Sequence, residues 1–286
     1  MVGIVILNYN NSAQTIACVE TLYRHCDRGQ WKLCIVDNAS NEKEYALLCS
    51  ALGESQVIIR SELNGGYASG NDLGCEYFSN DSSVDKILIL NDDTRFTMDI
   101  ITPLSVYLDA HPECGVVFPL VLSPSGETDK ACLRRQKSSW DLFLQAGSLG
   151  RLGFRRKEFL DPKQQGIPLD SRQALSSEWG IEVPPGSCMM LPKTLFREIG
   201  WLDKGTFLYF EEHIIAAKLK QRGLKAVLLP YLNIIHLGAA TTAKHPSKTI
   251  YAHWRRSYLY FMKHYSSVPL PIQQLLRFRT WLKTLI

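Results

Sequence analysis

Four times within the first 93 residues an apolar run ends abruptly on carboxamides or carboxylates. Residues 2–7 (VGIVIL) lead into Asn8-Tyr9-Asn10, and residues 32–36 (KLCIV) into Asp37-Asn38. Residues 56–60 (QVIIR) precede Asn64-Gly65-Gly66, and residues 86–90 (KILIL) lead into Asn91-Asp92-Asp93. Short apolar runs without polar alternation predict strands buried on both faces. Helical stretches are expected between them, after a cap at Asn11 or Ser12, over 41–52 and over 67–78. This alternation predicts an α/β fold with a mostly parallel central sheet and helices on both faces. Ligands bind at the carboxyl ends of the strands in such sheets, and the polar residues cluster at those ends.

Residues 120–179 break the pattern with mixed Gly, Pro, Ser and charge, including RLGFRRK at 151–157. An irregular stretch of that length predicts a functional, flexible lid. Order returns at 183–191, followed by a helix from Pro192 and another over 210–222. Two short strands are expected around Pro230, then terminal helices over 251–265 and 270–286, separated by Pro269 and Pro271. The expected organisation is a domain over 1–245 and a helical tail over 246–286. Within the domain, 1–119 form a nucleotide-binding half and 120–245 an acceptor half carrying the loop 120–180.

Charge is distributed unevenly. Residues 213–286 contain 12 of the 32 Lys and Arg and none of the 28 Asp and Glu, so the preceding 212 residues lean acidic. In the tail, Trp254, Tyr258, Phe261, Tyr265, Phe278 and Trp281 alternate with Arg255, Arg256, Lys263, Arg277, Arg279 and Lys283. That mixture predicts peripheral attachment to an anionic membrane, with core packing or dimerisation as the other reading of the aromatics. No window approaches the roughly 18–20 apolar residues of a spanning helix, and the N-terminal residues lack a signal-peptide pattern. A cytoplasmic protein is therefore expected, on the cytoplasmic face of the inner membrane where it is attached. Eight cysteines without a CxxC pair speak against zinc and for buried reduced thiols.

The strand ends carry distinct chemistry. Tyr9 offers a flat face to a nucleobase. Asp37 can accept a hydrogen bond from a base N–H, and Gly65 and Gly66 permit close backbone approach. Asn71, one turn into the next helix, can reach the same place. Adjacent carboxylates at Asp92 and Asp93 call for a cation or an arginine between them, and a diphosphate bound beside them needs a bridging divalent metal, Mn²⁺ or Mg²⁺. His236, after the apolar residues 232–235, is either a further ligand or an ordinary satisfied polar group. The run Phe207-Leu208-Tyr209-Phe210-Glu211-Glu212-His213 sets two carboxylates at a helix start, where burial and like charge would raise one pKa towards that of a general base. Acidic residues also simply favour the first helical turn.

Taken in order, "VILNYN", "VDNAS", "NGGYASGN", "LNDDT", "PGSCMML" and "FLYFEEH" resemble the inverting family 2 glycosyltransferases of GT-A fold, especially their rhamnosyltransferase-like branch. The resemblance covers residues 2–238. It implies that Tyr9, Asp37 and Asn38 hold the base, with Asn8, Asn10, Asn64, Gly65, Gly66, Ala68, Asn71, Asn91 and Asp92 also on the nucleotide. Asn91 and Asp93 would fill the outer positions of the DxD motif around Asp92, with Asp93, Asp92 and His236 as the metal set. Gly186, Ser187 and Trp179 would line the sugar and acceptor pocket. Glu212 matches the catalytic base, with Glu211 its supporting neighbour. Two departures stand out: Ile214-Ile215 replace the family's usual Asp-Leu, and its helix Arg appears as Lys218 or Lys220, neither able to form the bidentate fork.

The implied reaction transfers a hexose, L-rhamnose from dTDP-rhamnose or a sugar from a UDP-hexose, to a hydroxyl of a lipid-linked glycan with inversion. Bacterial surface polysaccharide biosynthesis, as of O-antigen, capsule or cell wall, is the fitting context. No nucleic-acid partner is expected; an oligomer is not excluded. A dehydrogenase would show GxGxxG where Asn8-Tyr9-Asn10-Asn11-Ser12 stands, and a nucleotidyltransferase a Gly-rich basic loop. The remaining rival, a non-catalytic carbohydrate- or nucleotide-binding module, would leave the paired carboxylates without a purpose.

Overall fold

A computed structural model describes residues 1–52, 56–136, 141, 159–160, 178–238 and 247–282. Its first half follows the expected alternation: β1 (Val2–Asn8), α1 (Ser12–His25), β2 (Trp31–Asp37), α2 (Glu42–Leu52), β3 (Val57–Arg60), α3 (Gly66–Ser79) and β4 (Lys86–Asn91). β1 to β4 pair in parallel in the order β3-β2-β1-β4. Register sets Asn8 beside Asp37 and Leu7 beside Asn91, so the polar strand ends form one continuous edge. α1 and α3 pack on β1, burying Cys18, Val19 and Leu22 from one and Cys75 and Phe78 from the other.

The sheet continues with mixed polarity. β5 (Thr94–Arg95), α4 (Ile101–Ala110) and β6 (Cys114–Leu122) come next, then β7 (Trp179–Ile181), β8 (Cys188–Pro192) and α5 (Lys193–Glu198). α6 (Glu211–Gln221) and β9 (Lys225–His236) complete the sheet region, with spatial order β4-β8-β6-β9-β5 and β7 on β9. β8 runs antiparallel to β4 and β6, whereas β6 and β9 are parallel. β9 is one strand through Pro230, where two flanking strands were expected. A register shift, from Pro119 opposite Leu229 to Leu120 opposite Asn233, absorbs the proline within a bulge, where its missing N–H costs no ladder bond. β6 continues the sheet to Leu122, and a 3-10 turn over Lys130–Leu133 follows. Most of the expected lid, including 151–157, lies outside the described residues.

α7 (Ser247–Tyr265) and α8 (Leu270–Leu282) form the tail. Tyr258, Phe261, Met262, Val268 and Leu276 bury themselves against Phe210 and Ile214 in a second apolar cluster. The closest approach is at Gly205, where a Cβ would lie 1.9 Å from the Tyr260 ring. Asp203 accepts hydrogen bonds from the hydroxyls of Tyr260 and Tyr265, fixing α7 to the same loop. Tyr258 and Phe261 thus belong to the core. Phe278 (56 % exposed) and Trp281 (46 %) stay on the surface of α8 with Leu270 and Leu275. Among the described residues no helix is long and apolar enough to cross a membrane.

Candidate functional site

The strand-end edge opens into a cavity of about 490 Å³. Tyr9, Asn38, Asn64, Gly66, Asn91, Asp92 and Asp93 line it, together with Gly186, Ser187, Glu211 and Glu212. Ala131, Arg134, His236 and the tail residues Thr249, Ile250 and His253 complete the wall. Residues from both halves of the expected domain and from the tail therefore share one space.

Behind the base side lies a polar lattice. The Asp37 carboxylate accepts hydrogen bonds from Asn8 Nδ2 (2.8 Å) and Ser40 N (3.2 Å), and Arg60 Nε lies 3.7 Å away. Asn38 Nδ2 donates to Asn64 Oδ1 at 2.9 Å, and Asn38 Oδ1 accepts from Gly65 N at 3.2 Å. Asn10 Oδ1 accepts from Asn41, and Asn71 Nδ2 donates to the Tyr67 carbonyl. Asn8, Asp37, Ala68 and Asn71 are buried and do not line the cavity; neither do Asn10 and Gly65. They back the cavity-lining residues Tyr9, Asn38 and Asn64. Trp179, on β7, pairs opposite Leu228 and also lies off the cavity wall.

Gly66 shows why glycine stands there. Its φ is +83°, and a Cβ would sit 2.2 Å from the Phe207 carbonyl oxygen. Tyr67 N donates to that same oxygen at 2.8 Å, and the Tyr67 hydroxyl to the Gly186 carbonyl at 2.6 Å. The close approach is thus first to the loop before α6, which is welded to the nucleotide side. That loop carries Tyr209 and Phe210 at φ 74° and 75°, two consecutive left-handed residues that are not glycine. Such conformations cost roughly 1–3 kcal/mol each and persist where surroundings impose them. Here Phe210 is held in the tail cluster and Ser257 Oγ donates to the Leu208 carbonyl at 2.8 Å. The turn starts α6 with Glu211 and Glu212 in the cavity wall.

The two carboxylates differ. Glu211 is 3 % exposed; burial, then the charge of Glu212, pushes its pKa up to about 8. Burial and the like charge beside it thus favour the neutral form of Glu211. Glu212 Oε1 lies 3.5 Å from an Arg134 guanidinium nitrogen, and a Cβ at Gly186 would sit 2.7 Å from the same oxygen.

Elsewhere in the lining, Asp93 Oδ1 lies 3.2 Å from His236 Nε2, with no aligned hydrogen bond to that buried oxygen. The antiparallel pairing of Thr94 with His236 brings them together. Asp129 Oδ2 stands 3.6 Å from His236 Nδ1, so the imidazole lies between carboxylates. Burial lowers its pKa, but Asp129 and Asp93 outweigh burial and hold it at about 9. Asp92 turns aside, accepting from Asn11 Nδ2 at 2.9 Å, and burial, then Asp93's charge, raise its pKa to about 7. Among the described residues no set of three or more His, Cys, Asp and Glu is gathered around one metal position. The donors fit Mn²⁺ or Mg²⁺ once His236 gives up its proton to become a neutral ligand: one Asp93 carboxylate oxygen and one imidazole, with the Asp129 carboxylate beside its other nitrogen. Such ions take their remaining ligands from substrate phosphate and water.

Asp129 and Arg134 carry no motif and lie where the sequence has no period, so sequence reasoning missed them. Thr249, Ile250 and His253 were also missed as wall residues, because their helix shows only an aromatic and basic pattern.

The sheet and its strand-end cavity define the class: this is the GT-A fold of nucleotide-sugar glycosyltransferases. Over 98 % of the chain it superposes on 54 % of GalNAc-T7, solved with UDP, GalNAc and Mn²⁺, at a TM-score of 0.61 and 16 % identity. Within that class the chain resembles the family 2, rhamnosyltransferase-like enzymes. It is 23 % identical over 235 residues to the low-salt glycan biosynthesis hexosyltransferase Agl10 of Haloferax volcanii, covering 82 % of this chain and 66 % of that one. It is 22 % identical over 192 residues to the N-acetylglucosaminyl-diphospho-decaprenol L-rhamnosyltransferase of Mycobacterium tuberculosis, covering 64 % and 56 %. The chain thus spans just over half to about two thirds of these relatives' length. No family model matches it.

Proposed function

We infer that this chain is a metal-dependent glycosyltransferase moving a hexose from a nucleoside diphosphate to an acceptor hydroxyl. One observation carries the reading. Among the described residues, the buried side-chain atoms Asp93 Oδ1, Ser187 Oγ and Glu211 Oε1 lack a hydrogen-bond partner, and all three residues line the same cavity. A buried polar group left unpaired within the protein calls for a partner such as water, an ion or a ligand. The cavity lining also holds the Asp93–His236 pair and the Glu211–Glu212 carboxylate pair. A metal-bound diphosphate and an acceptor hydroxyl, respectively, would match those pairs.

In this reading Tyr9 stacks the base while Asn38 and Asn64 border the nucleotide. Asp93 and His236 hold Mn²⁺ or Mg²⁺, which when bound would offset the negative charge of the diphosphate. Glu212 takes the acceptor proton as the acceptor oxygen bonds the anomeric carbon and the bond to the diphosphate oxygen breaks. A single displacement inverts that centre. The rhamnosyltransferase relative favours an L-rhamnose donor, for which dTDP-rhamnose is the first candidate here, and the hexosyltransferase of glycan biosynthesis favours a hexose donor, for which UDP-hexoses come next. The decaprenol-linked acceptor in the mycobacterial relative's name favours a lipid-linked glycan. A panel of nucleotide sugars tested by thermal shift should raise Tm for one donor, and only with Mn²⁺ present. No shift with any donor, with or without metal, would remove the reading in favour of a non-nucleotide-binding module.

The tail would place the protein at its acceptor. Phe278 and Trp281 are exposed on α8 beside basic residues, and this face lacks acidic neighbours in sequence. Sedimentation with anionic vesicles should pull the protein down, less so in high salt and less so for Phe278→Ser/Trp281→Ser. Equal recovery in the supernatant with and without vesicles would defeat the membrane assignment.

A further inference from the structure

One segment touches both the Asp93–His236 pair and the Glu211–Glu212 pair of the cavity. After β6, Asp129 N donates to the Val121 carbonyl at 2.8 Å, tying residue 129 to the sheet. The Asp129 side chain then does two things: it accepts from Ala131 N at 2.8 Å, starting the 3-10 turn, and it stands 3.6 Å from His236 Nδ1. Cys132 and Leu133 are buried in the core, which anchors the turn. Arg134 bridges the main chain of Val183 and directs its guanidinium to Glu212 Oε1 at 3.5 Å. Two residues on, Gln136 Nε2 donates to the His213 carbonyl and Gln136 Oε1 meets His213 Nδ1, both at 3.1 Å. Residues 129–136 are a strap from the Asp93–His236 pair to the first turn of α6.

We propose that Arg134 is a positioning residue that aims the Glu212 carboxylate at the acceptor hydroxyl. The proposal rests on Glu212 being the base. Among the described residues Arg134 is the cation paired with Glu212, and it fits the task chemically. Guanidinium never takes up the proton that a base must accept, and its planar fork fixes a carboxylate's orientation better than an ammonium does. The side chains of Arg134 and Glu212 are 30 % and 16 % exposed, so solvent screens the pair and its value lies in geometry rather than in stability. Gly186 leaves room for the same carboxylate, since a Cβ there would lie 2.7 Å from Glu212 Oε1. The strap's anchors at Val121, His236 and His213 hold Arg134 itself.

The test uses the donor that wild-type protein turns over, by transfer or by slow hydrolysis. Arg134→Gln should lower kcat by roughly 10–100-fold, the cost of a misplaced reacting group, with donor Kd and KM changed less than about threefold. Arg134→Lys should recover part of the loss, and free guanidinium should rescue Arg134→Gln. In a Glu212→Gln background, Arg134→Gln should cost nothing further, because the group it aims is gone. A donor Kd weakened in proportion to kcat/KM would make Arg134 a phosphate contact and overturn the proposal. So would a loss that adds fully to that of Glu212→Gln, or a lower Tm without guanidinium rescue. Wild-type protein inert toward every nucleotide sugar would instead bring down the glycosyltransferase reading, and this role with it.

Discussion

Glu212→Gln should lower sugar transfer by roughly 10²–10⁴-fold, the range that a positioned general base contributes. The amide keeps the shape of the carboxylate and can still accept from Arg134, but it has negligible affinity for a proton. Glu211 cannot take over. It is buried, and burial together with its neighbour already keeps it protonated near neutral pH. Removing the charge at 212 also relieves like-charge repulsion, so the variant should fold at least as well as wild type. Donor Kd, measured by calorimetry, should stay within about twofold, since the loss falls on a step after binding. Wild-type turnover in this variant would take Glu212 out of the chemistry.

Asp93→Ala should weaken donor binding in the presence of Mn²⁺ by on the order of 100-fold, as loss of a group that holds a metal does. Without metal, both proteins should bind the donor equally weakly. The fold should survive: the Asp93 carbonyl keeps its bond from Leu237 N at 2.9 Å, and Oδ1 makes no aligned hydrogen bond to lose. His236 would retain Asp129 as a partner. The measurement is donor Kd with Mn²⁺ and with chelator. If Asp93→Ala showed the full metal dependence of wild type, the metal would have to sit elsewhere, and Asp92, now turned toward Asn11, would be the first residue to re-examine.

The first half of the fold was legible because its information is local. Strands β1 to β4 read as uninterrupted apolar runs, and α3 begins at the Gly-Gly break. Polar strand ends fall on one edge simply because parallel strands in register end together. The second half was harder. The strand at Cys114–Leu122 carries Pro119 and abuts an aperiodic stretch, and β9 passes through Pro230, so proline concealed continuous pairing at both. The tail helices were visible as helices, but their aromatic residues have two destinations. Tyr258 and Phe261 enter the core while Phe278 and Trp281 stay outside. Composition alone could not sort them.

By itself the sequence determined the parallel strand-end edge, the polar groups along it, and the presence of carboxylate pairs at Asp92-Asp93 and Glu211-Glu212. Contiguous residues encode these features, since burial imposes its period on neighbours in the chain. Tertiary structure alone decided how those groups are used. The β5–β9 ladder sets Asp93 against His236 and leaves Asp92 facing Asn11. Two left-handed residues, forced by packing against the tail, bring Glu212 into the cavity wall. The strap delivers Arg134 to it, and α7 supplies part of the wall. These juxtapositions join segments remote in sequence through ladder pairing and core packing, which leave no periodic trace in the residues they unite.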